Sequence, residues 1–388
     1  MRKLYLSVLP LFLFLAPLGE HLRALRNSVG TTSVAAARAA DEEVGRDVRA
    51  RIGRAKRLLE QQPAPASDSV TLAAEDADGA QIHLFTLPKA TLLQQGAQGE
   101  VVSTDGAPLR VTVVRANYVN TAVRVADASG RELTPLAIKY PRTEGKTIKE
   151  IAYYASAHPA LAAPALTRDG KLYVRRMLDA AAERLRSEGT QIDPSVVDVA
   201  AHLCIVEHAD HKRFMQEDRA ALFSEIETLY ALNAGDTYRY SVSTAGAGGM
   251  IQMIPQTYAA IREHHPEASL EADFVTGMQD HANALSAMLL YIQDTWNDLS
   301  RRDEIKQALA THLATQAELL AAGYNSNPMR LADYLERGGT EWRTLIPAET
   351  QMYLQIYASV DQLAPVATTG DNHADVASSS GGSRPAAD

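Results

Sequence analysis

The sequence predicts an α+β chain of more than one domain, a small β-rich N-terminal module followed by a mainly α-helical region. Three observations carry that reading. Between Ser69 and about Pro141, short runs that alternate or stay apolar are separated by Asp78-Gly79, Asp105-Gly106 and Ser129-Gly130, the punctuation of antiparallel strands. From Thr147 onward the pattern becomes helical and no strand pattern of comparable strength interrupts it. Ahead of the strands, a charged stretch closes on Pro63-Ala-Pro-Ala-Ser67, which has the composition of a linker.

The bulk numbers agree with a soluble, multidomain protein. A chain of 388 residues can hold two or three domains and a substantial core, and 46% hydrophobic with 22% charged residues is ordinary. A formal net charge of -9 argues against nucleic acid as a partner. Cys204 is the single cysteine, so no intrachain disulfide exists, and its neighbours Leu203, Ile205 and Val206 predict a buried thiol.

Taken in order, residues 1–40 read as an export signal or an uncleaved N-terminal anchor. Met1-Arg2-Lys3 is a basic start, and residues 4–19 are nearly all apolar, a run shorter than the about 20 residues of a membrane span. The nearest cleavage-like site, Ala37-Arg38-Ala39, lies well beyond that run, and there is no Cys nearby to carry a lipid. Residues 41–68 are expected to form a helical spacer and linker. Residues 69–142 should form the β-rich module, a small sandwich or barrel with strands near 70–72, 82–86, 100–103, 109–115 and 122–125. The module holds no cluster of Cys, His and carboxylates, which suits an accessory, substrate-holding or structural role. Residues 143–364 should be helical. Thr147-Ile-Lys-Glu150 has the form of a capping box, Asp169-Gly170 leads into a helix over 171–186, and Asp193 stands ready to cap a helix begun by Pro194. Further helices are expected near 213–232, 278–297, 303–322, 329–336 and 348–362. The tail, 365–388, is rich in Ala, Ser, Gly and Asp and reads as disordered.

Four places in the helical part could carry chemistry. Val196, Val199, Ala200, Leu203 and Cys204 form an apolar stripe, and Glu207 continues it. Such a carboxyl is either a helix-end group reaching solvent or a salt bridge, or a group in a cleft whose pKa burial raises into the range of a general acid. Residues 241–257 pass from Ser243 through Gly246, Gly248 and Gly249, where main chain can approach a neighbour closely, to Gln252 among Met250, Ile251, Met253 and Ile254. Tyr324 and Asn325 stand at a helix end before Asn327-Pro328. Glu349 sits in the first turn after Pro347, where it complements the helix dipole. His208, Asp210 and His211 lack a convincing set of metal-ligand partners and are expected to be solvated. There is no phosphate loop, dinucleotide fingerprint or nucleophile elbow.

In this order, Glu207, then Ser243-Thr-Ala-Gly-Ala-Gly-Gly-Met-Ile-Gln-Met-Ile-Pro255, then Gly323-Tyr-Asn-Ser326, then Pro347-Ala-Glu-Thr-Gln-Met-Tyr353 resemble the four motifs of the lytic transglycosylase catalytic domain. The Tyr-Asn-Ser form is nearest to the membrane-bound type D branch, and the motif-bearing core spans residues 190–363. The resemblance implies a lysozyme-like helical fold for 143–364 and cleavage of peptidoglycan glycan strands in the periplasm or cell envelope. Residues 1–40 would then export the protein or hold it to the inner membrane. Glu207 would protonate the glycosidic oxygen between N-acetylmuramic acid and N-acetylglucosamine, then take the proton of the muramoyl C6 hydroxyl as a 1,6-anhydro ring closes. An internal hydroxyl replaces an enzyme nucleophile, so a second catalytic carboxylate is unnecessary and no metal or cofactor is called for. Ser243, Gly246, Gln252, Tyr324, Asn325 and Glu349 would bind or orient the substrate. Envelope proteins could dock on the β-rich module.

Three departures stand out. His208 replaces the family's Ser after the Glu, Asn327 replaces a Gly, and residues 209–238 are an insertion. Glu225 and Glu227 lie within it, in a more charged, mid-helix setting than Glu207. Two alternatives follow: hydrolysis of lysozyme type with Glu217, Asp218 or Asp236 activating water, or a peptidoglycan-binding envelope protein without activity.

Overall fold

A computed structural model of the chain describes residues 18–365, with side chains from residue 36 onward. The start of the segment read as an export signal, and the tail from 366, lie outside the described residues. Among the described residues no helix is long and apolar enough to cross a membrane.

The stretch expected to be a free spacer is a docked helix, α1 (Leu18–Gln61). Val48, Ile52, Ala55 and Leu59 recur at helical spacing, are buried, and pack on Ala73, Leu84, Leu136 and Ala137 of the sheet. Polar contacts fix the same face. Arg51 and Arg54 reach the fully buried carboxylate of Glu75 at 2.5 and 3.1 Å. The buried Lys139 ammonium donates to the carbonyls of Leu59, Gln62 and Pro63 at 2.9, 2.7 and 3.2 Å, satisfying acceptors that a helix end leaves open.

Seven antiparallel strands follow: β1 (Ser69–Glu75), β2 (Ile82–Pro88), β3 (Gln98–Val102), β4 (Pro108–Arg115), β5 (Ala122–Asp127), β6 (Glu132–Glu144) and β7 (Thr147–Ala155), with a single turn of helix, α2 (Lys89–Leu92), after β2. Their order is β2-β1-β6-β5-β4-β3, and β7 pairs with β6. Strand β6 is the spine, pairing with β5 over its first residues and with β1 and β7 along the rest. Thr104 N donates to Leu84 O at 2.8 Å, which brings the region after β3 back to β2 and curls the sheet toward closure. The capping-box reading of Thr147-Ile-Lys-Glu150 is overturned. Residues 147–155 are β7, in register with β6 through Tyr140↔Ala152 and Ile138↔Tyr154. Ile148, Ile151, Tyr153 and Tyr154 favour a pleated surface, and the open edge of β6 supplies backbone partners that outweigh a local cap. The sheet therefore ends at 155, beyond the expected 142.

The helical region comprises α3 (Pro164–Ser187), α4 (Pro194–Val206), α5 (His211–Gln216), α6 (Arg219–Asn233), α7 (Pro255–His264), α8 (Phe274–Gln279), α9 (His281–Leu299), α10 (Asp303–Ala310), α11 (Gln316–Asn325), α12 (Leu331–Gly338), α13 (Trp342–Leu345) and α14 (Ala348–Leu363). Asp169-Gly170 lies inside α3 rather than ahead of it. Gly170 marks a close approach there, since a Cβ would stand 1.8 Å from the Glu227 carbonyl oxygen on α6. The single helix expected over 303–322 is two, parted by His312 at φ 55° and restarted by a capping box of Thr315 and Glu318. One apolar core runs unbroken from Leu109, Val111 and Tyr154 of the sheet to Leu203 of α4 and Leu285 of α9. Sheet and helices are thus packed as one body.

Candidate active site

Helix α4 is built almost wholly of apolar residues, and Val196, Val199, Ala200, Leu203, Cys204 and Val206 are all buried. Its polar residues, Ser195, Asp198 and His202, share the one face left exposed or half-buried, whereas the buried apolar stripe runs on to Glu207, half-buried at the C-cap. Tyr353 on α14 donates its hydroxyl proton to Glu207 Oε1 at 2.6 Å. Burial pushes the Glu207 carboxyl up, the Tyr353 hydrogen bond opposes it, and the negative charge of Glu349 adds to the rise. Burial wins, at about 8, so Glu207 holds its proton at neutral pH. Cys204 is buried as expected, and its thiol is pushed up by that burial.

His208 is not the solvated residue the sequence suggested. Its Nε2–H donates to the Met250 carbonyl at 2.9 Å, and its ring stacks on Tyr238 with centroids 3.5 Å apart and planes 4° from parallel. Burial depresses the imidazole to about 3, so it stays neutral. His208 therefore ties the end of α4 to the Gly-rich loop. His211 is exposed, and His208, Asp210 and His211 form no ligand cluster.

The loop over 241–257 folds back on itself through bridges between Val242 and Gly248 and between Gly248 and Met253. Ser243 Oγ accepts from Ala247 N at 3.0 Å, leaving its own proton for donation. Gly249, at φ 71°, passes so close to α8 that a Cβ would stand 2.4 Å from the Met278 carbonyl oxygen. Gln252 adopts φ 48°, a left-handed conformation strained for a residue with a side chain, and its amide donates to Gly249 O at 2.8 Å. The polar residue in the Met-Ile run is thereby satisfied and half-buried.

These groups meet at a cavity of about 250 Å³. Glu207, Ser243 and Gln252 line it together with His208, Asp210 and Tyr240. Another part of its wall comes from the β-rich region, from Asn117, Tyr118, Val119 and Asn120 in the β4–β5 connection and Tyr154 of β7. The other named residues stand behind this wall or beside it. Tyr324 donates to the Ile251 carbonyl at 2.7 Å, and Asn325 Oδ1 accepts from Thr350 Oγ1 at 2.8 Å. Both brace the Gly-rich loop and α14 rather than lining the cavity. Gly246 shapes the loop at φ 79°, and Glu349 is exposed at the start of α14, acting on Glu207 through charge.

The competing carboxylates are engaged elsewhere. Glu225 accepts from Arg213 at 3.0 and 2.7 Å and from Arg115 at 3.0 Å, which holds it below the usual carboxylate range. Glu227 is buried 3.6 Å from Lys171, and burial raises it to about 8. Glu217 pairs with Arg213, Asp218 caps α6, and Asp236 pairs with Arg239. None of these five lines the cavity, whereas Asp210 does. The sequence reading missed Tyr238, Tyr240 and the wall from the β-rich region. The Tyr-Arg-Tyr of 238–240 ahead of the Gly-rich loop was an available aromatic signal, but the wall from 117–120 is a long-range contact that no local pattern reports. Comparison with family models, with curated proteins and with solved structures returns no match.

Proposed function

We propose that this chain is a peptidoglycan lytic transglycosylase with Glu207 as its acid and base, built on a lysozyme-like helical arrangement. The observation that carries the reading is a carboxyl kept protonated at neutral pH at the edge of a polar cavity, beside a hydroxyl donor and a satisfied amide. A glycosidic oxygen becomes a leaving group only when protonated, and a carboxylic acid with a pKa near the working pH supplies that proton best. Tyr353 occupies Oε1 of Glu207, so Oε2 is the atom left to carry the proton. Once ionised, the same carboxylate takes the C6 hydroxyl proton as the anhydro ring closes. Ser243 would donate to the sugar, and Gln252 would offer its amide oxygen. The bracing hydrogen bonds of Tyr324 and Asn325 would hold loop and helix in place.

The test is digestion of purified sacculi, with the products resolved by mass spectrometry. Wild type should release muropeptides with 1,6-anhydro ends, and Glu207→Gln should lose about 10²–10⁴ in rate while keeping its fold. Undiminished cleavage by Glu207→Gln overturns the assignment. Hydrolysis is favoured by one observation, the second carboxylate, Asp210, on the cavity wall. Reducing ends, lost in Asp210→Asn, would select that reading. Binding to sacculi without release by wild type would leave a binding protein.

A further inference from the structure

Away from the Glu207 cavity, the C-terminal end of α7 meets the middle of α9. His264 Nδ1 lies 2.7 Å, and His265 Nε2 2.9 Å, from one and the same atom, Oδ2 of Asp294. The three ligand atoms all lie within 4.8 Å of one another. We propose that His264, His265 and Asp294 bind a zinc ion, with a fourth coordination position left open.

Successive residues of a regular helix point about 100° apart, so neighbouring side chains diverge. His264 is the last residue of α7, while His265 leaves the helix with φ -122° and ψ 64° ahead of Pro266. That departure lets both rings, 4.6 Å between centroids, turn to one carboxylate. Two imidazoles and one carboxylate are a donor set for zinc, whereas calcium and magnesium require oxygen ligands. His265 carries the outer contact that metal-binding histidines usually have. Its Nδ1 lies 3.0 Å from Glu267 Oε1, so Nδ1–H is held by a second carboxylate and Nε2 is aimed at the site.

Without metal, His265 bridges Asp294 and Glu267 as an ordinary ion pair. That accounts for one histidine. It does not require a second imidazole on the same oxygen. Zinc–nitrogen bonds of about 2.0 Å in tetrahedral geometry would set the ligands about 3.3 Å apart, so the two nitrogen–oxygen spacings of 2.7 and 2.9 Å would open slightly around the ion. His264, whose side chain is 69% exposed, can make that adjustment freely, whereas His265 at 11% and Asp294 at 23% form the fixed part of the site. His264 and Asp294 also line a cavity of about 500 Å³ with Tyr291, Thr295 and Asp298. The open position therefore borders space for water or a small oxygen-donor ligand.

The experiment uses tag-free full-length protein stripped with a chelator, titrated with zinc by calorimetry, and loaded with cobalt for visible spectroscopy. Wild type should take up one zinc per chain and show the d–d bands of four-coordinate cobalt. His264→Gln, at an exposed position that spares the fold, should weaken binding by about 100-fold or more, and Glu267→Gln by about 10–100-fold. Absence of saturable uptake by wild type overturns the site. So does zinc affinity unchanged in His264→Gln, which would place the metal on other histidines. Glycan cleavage is no part of the readout, so the result stands apart from the transglycosylase reading.

Discussion

At the scale of single residues, the proton that the proposed role of Glu207 requires comes at a cost in stability at high pH. An unfolded glutamate ionises near 4.5, whereas the folded Glu207 does so at about 8. The folded-state pKa lies above the unfolded one, so folding takes up a proton. The stability gained is complete below pH 4.5 and is lost as the pH climbs through about 8. Gln cannot ionise and keeps a polar head of the same size. Glu207→Gln should therefore be more stable than wild type at pH 8, by about 3–5 kcal/mol, with the difference vanishing near pH 4. Chemical denaturation of both proteins at the two pH values measures it. Glu227 and His208 also titrate abnormally, but they are common to both proteins and cancel in the comparison. An equal stability gap at both pH values would show that Glu207 does not hold its proton. Glu207 was legible because its helix repeats apolar residues right up to it. His208 was not, because nothing near it in sequence announces Tyr238 or the Met250 carbonyl as partners.

At the scale of elements, the Gly-rich loop separates two uses of glycine. Gly246 and Gly249 both adopt positive φ, at 79° and 71°. A Cβ on Gly246 meets nothing within 4 Å, so Gly246→Ala carries only the backbone penalty, about 1 kcal/mol. A Cβ on Gly249 collides with the Met278 carbonyl at 2.4 Å, which α8 cannot move without shifting its whole turn. Gly249→Ala should cost about 3 kcal/mol and displace Gln252 from the cavity. Thermal midpoints of the two variants give the contrast, and equal midpoints would mean that the loop is not seated on α8. The same contrast explains what the sequence could say about elements. Turn glycines marked the hairpins at Gly79, Gly106 and Gly130, and Pro194 and Pro347 the starts of α4 and α14. The helix expected over 213–232 is instead the pair α5 and α6, and α7 and α8 were not expected. Residues 147–155 were misread because a four-residue cap pattern is local, whereas the pairing that decides the matter is with β6. Strand β6 was not expected at all, the last strand read from the sequence being 122–125, and its two prolines, Pro135 and Pro141, break the strand pattern there. The register with β1 skips Leu136, pairing Pro135 with Ala74 and Ala137 with Ala73, so Pro135 sits at a bulge that tolerates it.

At the scale of the whole molecule, the order of sheet then helices could be read from periodicity, but not their union. Residues 209–238 contribute polar ties between them. Asn233 at the end of α6 clamps β7, its Oδ1 accepting from Ala155 N at 2.7 Å and its Nδ2 donating to Ala155 O at 3.3 Å. Glu225 holds Arg115 of β4 and Arg213 of α5 together, and Arg142 of β6 lies over the Tyr240 ring at 3.9 Å. The continuous apolar core adds the larger share, since buried area outweighs a few part-exposed ion pairs. A tethered accessory module would unfold by itself, whereas parts that share a core and line one cavity should unfold together. Calorimetry should therefore give one transition whose calorimetric and van't Hoff enthalpies agree. Asn233→Ala should lower its midpoint, at a cost of about 2 kcal/mol for two buried hydrogen bonds, without splitting it. Two resolved transitions in wild type would mean that the sheet is a separate unit. The cavity wall at Tyr118 would then be a contact the helical part can do without, and the ties from residues 209–238 a surface contact rather than part of the joint.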